Sequence, residues 1–278
     1  MKIPTDLKEG WQLEGGGAEA YERYLASAFS PWAQKLTELA EIREGDRVLD
    51  VACGTGIVAR HAADRAGATG VVVGLDLNED MLKVARWVSA GKKPPIDWRE
   101  GNVTNLPFSD ETFDAVCCEQ AIQFFSDPVT ALREMRRVMA PGARAAVSVC
   151  RPIEFCPPYV ALAGLLDRYV SPQAGAMMRS PFSKWSLEDL RGLFRDAGFA
   201  DAQVLIEVGS LRYPSCAEFL RREAASSPLA GPVSALREGV RNELVAKLEE
   251  ALSDHVDDDG VVCVLESYVA LAHCDRRT

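Results

Sequence analysis

The sequence predicts an α/β protein built on a doubly wound, mostly parallel sheet. Three observations carry that prediction: short runs of strongly apolar residues, helical patterns that alternate with them four times, and a glycine-rich turn at the first strand-to-helix junction. Parallel strands are covered on both faces, so they read as near-continuous apolar runs rather than as alternating ones.

Residues 1–16 are polar, run into Gly15-Gly16-Gly17, and read as a loose arm. A helical apolar period follows over residues 18–42. Residues 47–52 (RVLDVA) form a buried strand, and the glycine loop leads into a helix over 58–65. Residues 71–75 are a second strand closed by Asp76, with a helix over 79–88. Residues 96–99 and 113–118 are the third and fourth strands. A helix spans 128–139, with Pro128 suited to its first turn, and Pro141-Gly142 is expected to end it before a fifth strand over 143–150. Beyond Cys150, prolines at 152, 157, 158, 172 and 181 interrupt apolar helical fragments. A helix over 187–197 stops at Gly198, and 202–208 and 261–270 supply further strands. The expected organisation is a single domain over 1–278. In it, 1–46 form an N-terminal helical cover, 47–150 a cofactor core, 151–185 and 210–258 two insertions, and 186–209 with 259–278 complete the sheet.

Composition narrows the partners. The 278 residues are 47% hydrophobic, as in an ordinary globular protein, and 31 basic against 41 acidic residues leave a net charge of −10. Such a chain has little long-range attraction for phosphate backbones or anionic lipid, so no nucleic-acid partner is expected. Met1–Asp6 has no apolar core of a signal peptide, and no run approaches the roughly 18 to 20 apolar residues that span a bilayer. A cytoplasmic protein without membrane insertion is expected. None of the eight cysteines forms a CxxC pair, so they are read as reduced structural thiols and no metal site is expected.

The sharpest feature is Val48-Leu49-Asp50-Val51-Ala52-Cys53-Gly54-Thr55-Gly56-Ile57-Val58-Ala59. Gly54-x-Gly56-x-x-Ala59 satisfies the loop pattern of dinucleotide sites, where a pyrophosphate meets a helix N-terminus. Asp50 argues against that ligand, because a carboxylate beside the loop opposes an anion and suits a cation. S-adenosylmethionine (SAM) carries both an ammonium and a sulfonium, so charge favours SAM over NAD. Asp76 closes the second strand, where a carboxylate can accept from ribose hydroxyls. Asn102 offers a donor and an acceptor to an adenine edge.

VLDVACGTG, VVGLDLNEDML, the GN step at 101–102, LPFSDETFDAV and LREMRRVMAPGARAAVS follow in order. In these motifs the chain resembles the class I SAM-dependent methyltransferases, in the ubiquinone/menaquinone-biosynthesis (methyltransferase type 11) branch. The resemblance covers 47–149 closely and 186–208 more loosely. It implies a Rossmann-like, seven-stranded sheet with the cofactor across the carboxyl ends of strands one, two and four. It also implies that Asp50, Ala52, Gly54 and Gly56 cradle the methionyl portion, Asp76 holds the ribose, and Leu77 and Met81 flank the adenine. Asn102 and Val103 would line the adenine pocket, and Tyr21 would close over the cofactor. Glu119 would contact the cofactor, and with Gln120 it is the candidate to orient the acceptor. The product would be S-adenosylhomocysteine, with no metal required.

Each assignment has a plainer counterpart. Asp76 can be a helix-entry residue, and Tyr21 and Met81 can simply pack. Cys156-Pro157-Pro158-Tyr159 resembles the signature of amine methyltransferases acting on DNA, but it follows strand five and starts with Cys, so it is expected to be a turn. His255-x-Asp257-x-Asp259-Gly260 resembles part of a calcium loop, yet a hairpin turn is expected. No catalytic base stands out, and an activated methyl donor needs orientation and exclusion of water more than a base. Ile153, Phe155, Tyr159, Leu162, Leu166, Tyr169, Met177, Met178 and Phe182, with Phe124-Phe125, suggest a small apolar or aromatic acceptor. The alternatives are an NAD(P)-dependent oxidoreductase, which lacks a YxxxK pair here, and a non-catalytic SAM-binding protein.

Overall fold

The computed structural model describes residues 16–274. In chain order it contains α1 (Gly17–Tyr21), one π-helical turn (Glu22–Ala26), α2 (Ser27–Leu39), β1 (Arg47–Val51), α3 (Ile57–Ala66) and β2 (Val71–Asp76). Then come α4 (Glu79–Val88), β3 (Ile96–Glu100), β4 (Phe113–Glu119), α5 (Pro128–Val138), β5 (Met139–Cys150), α6 (Pro157–Tyr169) and α7 (Pro172–Arg179). The chain closes with α8 (Leu187–Asp196), β6 (Gln203–Tyr213), α9 (Cys216–Ala225), α10 (Ala230–Ser234), α11 (Glu238–Ala251), β7 (Val256–Asp257) and β8 (Gly260–His273).

The strand order is β3-β2-β1-β4-β5-β8-β6, with the two-residue β7 paired to β8, so the expected seven strands become eight. The first five in that order pair in parallel: Asp50 lies opposite Gly74 and Cys117, and Glu119 opposite Ser148. The expected α/β, doubly wound, mostly parallel architecture is therefore present. The chain divides into two compact units. A sheet unit holds Phe29–Val149, Lys184–Glu207 and 267–274; a helical unit holds 16–28, Cys150–Ser183 and Val208–Glu266.

In the sheet unit, alternate strand residues feed two separate cores, as the two-residue period of a strand dictates. Val48, Val72, Ala115, Cys117, Ala146 and Val269 pack with the alanines of α3. Leu49, Val51, Val116, Val147 and Ala270 pack on the opposite face with Leu132 and Met135 of α5 and Phe194 of α8. Small side chains on the first face let α3 lie close to the sheet. Local chemistry starts the helices: Asn78 caps α4 by accepting from the N–H groups of Asp80 and Met81, and Asp127 caps α5 with Pro128 behind it. Ser186 and Asp189 form a reciprocal capping box at α8.

Several boundaries differ from expectation. The helical run over 18–42 is interrupted by the π turn and ends at Leu39, because Glu41 takes a left-handed φ of 50°. Pro141-Gly142 does not merely end α5. The fifth strand already starts at Met139, opposite Phe113, and carries the extra residues as a bulge at Gly142 (φ 82°). Cys156-Pro157-Pro158-Tyr159 is not a turn: Pro157 and Pro158 fill the first positions of α6, where a missing N–H costs nothing. The 257–260 hairpin is present, with Asp257 opposite Gly260, and Asp257 is committed to Arg212 and to the N–H of Asp259. None of the eight cysteines is in a disulfide, and seven are buried. The predicted arm, apart from Gly16, lies outside the described residues.

The helical unit holds a buried polar group in an aromatic cage. The Tyr213 hydroxyl donates to Glu223 at 2.6 Å, and the Tyr159 hydroxyl lies 3.1 Å from that of Tyr213. Phe219 packs against both tyrosines and Phe182 against Tyr159. Burial pushes the Glu223 carboxyl up to about 7.

Candidate cofactor and acceptor site

The carboxyl ends of β1, β2 and β4 bring three carboxyl groups together in the sheet unit, and each does something different. Asp50 projects from β1 on the α3 side and is buried. Its Oδ2 accepts the Ala59 N–H of the first turn of α3 at 2.9 Å. Burial raises its proton affinity most, with the charge of Asp76 adding and the Ala59 hydrogen bond opposing, and the group is pushed up to about 8. An anion-binding helix N-terminus must offer free N–H groups. Here a carboxylate already sits on one of them.

Asp76 shapes the loop from the other side. Its Oδ2 accepts the Gly54 N–H and its Oδ1 the Asn78 N–H, both at 2.8 Å. Burial raises its proton affinity, and these backbone donors oppose the rise. Asp76 therefore ties the glycine loop to the start of α4, which its reading as a ribose ligand alone did not include. Glu119 ends β4, and burial followed by the charge of Asp50 holds its carboxyl well above the usual range. Its Oε1 is sealed from solvent and has no hydrogen-bond partner among the described residues. Thr55 Oγ1, inside the loop, is likewise buried and unpartnered.

The loop glycines have separate reasons. Gly54 has a left-handed φ of 53°, and a side chain added there would meet nothing within 4 Å, so the loop faces open space. Gly56 (φ 83°) has no such space: an added Cβ would lie 2.1 Å from the Trp98 ring, which also covers Gly74. Its glycine is demanded by Trp98 on β3 and by its own φ. A sequence reading could not pair them, since a lone tryptophan in IDWRE carries no signal of what it packs on. Gly56→Ala is expected to destabilise the protein by about 2–5 kcal/mol through strain and overpacking. In urea titrations the double variant with Trp98→Leu should fall short of the summed single effects by at least about 1 kcal/mol; additivity would refute the clash.

Other predicted residues divide by environment. Ala52 and Gln120, each following its strand, hold left-handed φ values of 55° and 51°, uncommon for non-glycine residues and concentrated at functional sites. Leu77 is 59% exposed just after Asp76, as an apolar shelf for a ligand would be, whereas Met81 is buried within α4. Val103 is half-buried against the core. Asn102 is exposed, and its Oδ1 accepts from the Thr104 N–H and hydroxyl at 2.9 Å each, which leaves its amide donors outward. Tyr21, half-buried on α1, belongs to the helical unit. Of the apolar residues proposed to face an acceptor, Tyr159, Leu162, Leu166, Met178 and Phe182 are buried in the helical unit, where they pack. Phe155 is 44% exposed, with the Arg151 guanidinium 3.5 Å from its ring centre.

These residues fit SAM. Open space stands over Gly54, acidic groups end three adjacent strands, and a buried carboxyl oxygen lacks a partner, all of which suit a cationic ligand. Among the described residues no group of His, Cys, Asp and Glu could hold a metal ion, and no helix is long and apolar enough to cross a membrane.

Residues 27–205 match the model of the ubiE/COQ5 methyltransferase family. Demethylmenaquinone methyltransferase of Bacillus licheniformis is 32% identical over 184 residues, covering 62% of this chain and 78% of that protein. The 2-phytyl-1,4-naphthoquinone methyltransferase of Synechococcus elongatus is 36% identical over 152 residues, covering 52% of this chain and 63% of that one. A SAM-dependent methyltransferase from Aquifex aeolicus shares the fold with a TM-score of 0.54 at 15% identity, covering 94% of this chain and 100% of that one.

Proposed function

The chain belongs to the ubiE/COQ5 methyltransferase family, and on that basis we propose that it moves the methyl group of SAM to a reduced, quinone-type aromatic acceptor. The observation that carries the cofactor is Asp50 on the α3 amide, with the Glu119 carboxyl near it and its Oε1 unpartnered among the described residues. That arrangement occupies an amide that a pyrophosphate would need, and it offers carboxyl groups whose ionised form a bound cation stabilises. It disfavours the oxidoreductase alternative for the same reason.

Asp50, Ala52, Gly54 and Gly56 are assigned to the methionyl portion, Asp76 to the ribose, and Leu77, Met81, Asn102 and Val103 to the adenine. Tyr21 is assigned to closure. Residues 151–185 and 210–258 are assigned to acceptor recognition, supported by their apolar and aromatic content. When bound, the cofactor supplies an activated methyl group on a sulfonium, whose sulfur leaves as a neutral thioether. The protein's own groups orient the acceptor and exclude water. A quinone ring is electrophilic, so the acceptor must be the reduced form, whose ring carbon beside a hydroxyl can attack. The proton released on rearomatisation needs a receiver. Glu119 in its ionised form, which a bound cation favours against burial, can take it at Oε1, and Gln120 orients the ring.

Calorimetric titration with SAM and with NADH tests the cofactor: SAM is expected to bind, and binding of NADH alone would overturn the assignment. Incubation with SAM and reduced 2-phytyl-1,4-naphthoquinone, read by mass spectrometry, tests the acceptor. A methylated product is expected. Turnover of polar amines, with none of apolar phenols, quinols or terpenoids, would overturn the acceptor class.

A further inference from the structure

Beyond Glu119 and Gln120, two buried serines on later strands meet the same end of the sheet. Cys117 and Ala146 belong to the core on the α3 side, so Glu119 and its register partner Ser148, each two residues on, project to that side too. Val269 is in that core as well, which puts Ser267 on the same face of β8. Neighbouring strands β4, β5 and β8 thus carry Glu119, Ser148 and Ser267 on one face of the sheet.

The contacts on this face are specific. The Gln120 Nε2 donates to Ser267 Oγ at 2.9 Å across 147 positions of sequence, and the Gln120 N–H donates to the Ser148 carbonyl at 2.9 Å. Gln120 needs such anchors, because its left-handed φ of 51° is strained for a residue with a side chain. Ser267 and Ser148 are both buried, and the Ser148 hydroxyl has no partner among the described residues, like Glu119 Oε1 on the strand beside it. An unsatisfied buried hydroxyl destabilises a fold that alanine would serve better. Two orphaned polar atoms on register partners are placed to meet once a ligand orders the site, as hydrogen bonds that are loose in free enzymes often tighten in complexes.

We propose that Ser148 and Ser267 are positioning residues that hold Glu119 and Gln120 in the geometry that orients the acceptor. Ser267 locks the Gln120 amide, and Ser148 supplies a hydroxyl donor to Glu119 in the loaded enzyme. The titratable groups that interact electrostatically with Glu119 are Asp50 on β1, the Cys117 thiol on the same face of β4 and the Cys118 thiol on the other. None of them is a donor cation that would make Ser148 redundant.

This inference rests on the assignment of Glu119 and Gln120 to the acceptor, so the test separates the two. Kinetics are run with SAM and a panel of apolar phenols, terpenoids and quinols, reduced 2-phytyl-1,4-naphthoquinone included, using the acceptor that the unsubstituted enzyme turns over fastest. Ser267→Ala and Ser148→Ala should each lower kcat roughly 10- to 100-fold while calorimetric SAM affinity stays unchanged. Ser148→Ala should also keep or raise Tm, since it removes an unsatisfied hydroxyl; a merely structural serine would lower Tm and spare kcat. Unchanged kcat in both variants, or SAM affinity falling in step with kcat, overturns the inference. Glu119→Ala and Gln120→Ala run alongside. If these cripple turnover and the serine variants do not, this inference alone fails. If they leave turnover intact, or no acceptor is turned over, the acceptor assignment fails and this inference with it.

Discussion

Asp50→Asn is expected to weaken SAM binding about 100- to 1,000-fold, the loss typical of removing one partner of a buried charge pair. The substitution keeps the side-chain shape and an oxygen to accept the Ala59 N–H, so the loop should keep its form while the charge is lost. The pH dependence follows with a definite sign. Burial holds Asp50 at about 8, so at neutral pH the free protein mostly carries it protonated. A cation favours the ionised form, so binding releases a proton, and affinity should rise about tenfold per pH unit up to about pH 8 and then level off. Calorimetry in buffers of different ionisation enthalpy measures that proton directly. Asn should abolish both the proton release and the slope. Wild-type affinity in Asp50→Asn, or a slope that survives it, would remove Asp50 from the cofactor site.

Free-protein stability should move the other way. Asp50 has a folded pKa above its ordinary 3.8, so the folded state binds more protons than the unfolded one, and stability is lost as pH rises from there toward about 8. Asn carries no such penalty. On the proposed assignment, Asp50 gives up stability of the free protein for binding, as buried functional charges commonly require.

The second large effect lies in the helical unit. Glu223 has its folded pKa raised from 4.5 to about 7, with burial as the main cause. Between those two pH values the unfolded chain loses the proton and the folded chain keeps it. Stability should therefore fall by about 3 kcal/mol across that window and level off above it. Glu223→Gln keeps an acceptor for the Tyr213 hydroxyl and cannot ionise. Urea denaturation of that variant at pH 4 and pH 8 should show the pH-dependent loss reduced by that amount. An identical loss in both proteins would show that the Tyr159–Tyr213–Glu223 group does not set it.

Much of the site was legible because its residues are neighbours in sequence or end consecutive elements. Asp50, Gly54 and Asp76 lie at the first two strand ends, and a strand–loop–helix pattern read from apolar runs is enough to place them there. The boundary errors have local causes. A proline pair that reads as a turn opens α6, and Pro141-Gly142, which reads as a stop, is a bulge that lets β5 run through. Proline and glycine announce a change of backbone direction without saying which kind.

The sequence by itself determined the alternation of strands and helices, the glycine loop, and an acidic residue where a phosphate-binding site would have none. Those follow from local periodicity and from the sign of a charge. Tertiary structure decided that Asp50 sits on the α3 amide, that Trp98 closes over Gly56, and that Ser267 reaches Gln120 from 147 positions away. Such contacts depend on strand order and register. In a parallel sheet those are set by crossovers and by packing on both faces, and neither leaves a mark in the spacing of residues along the chain.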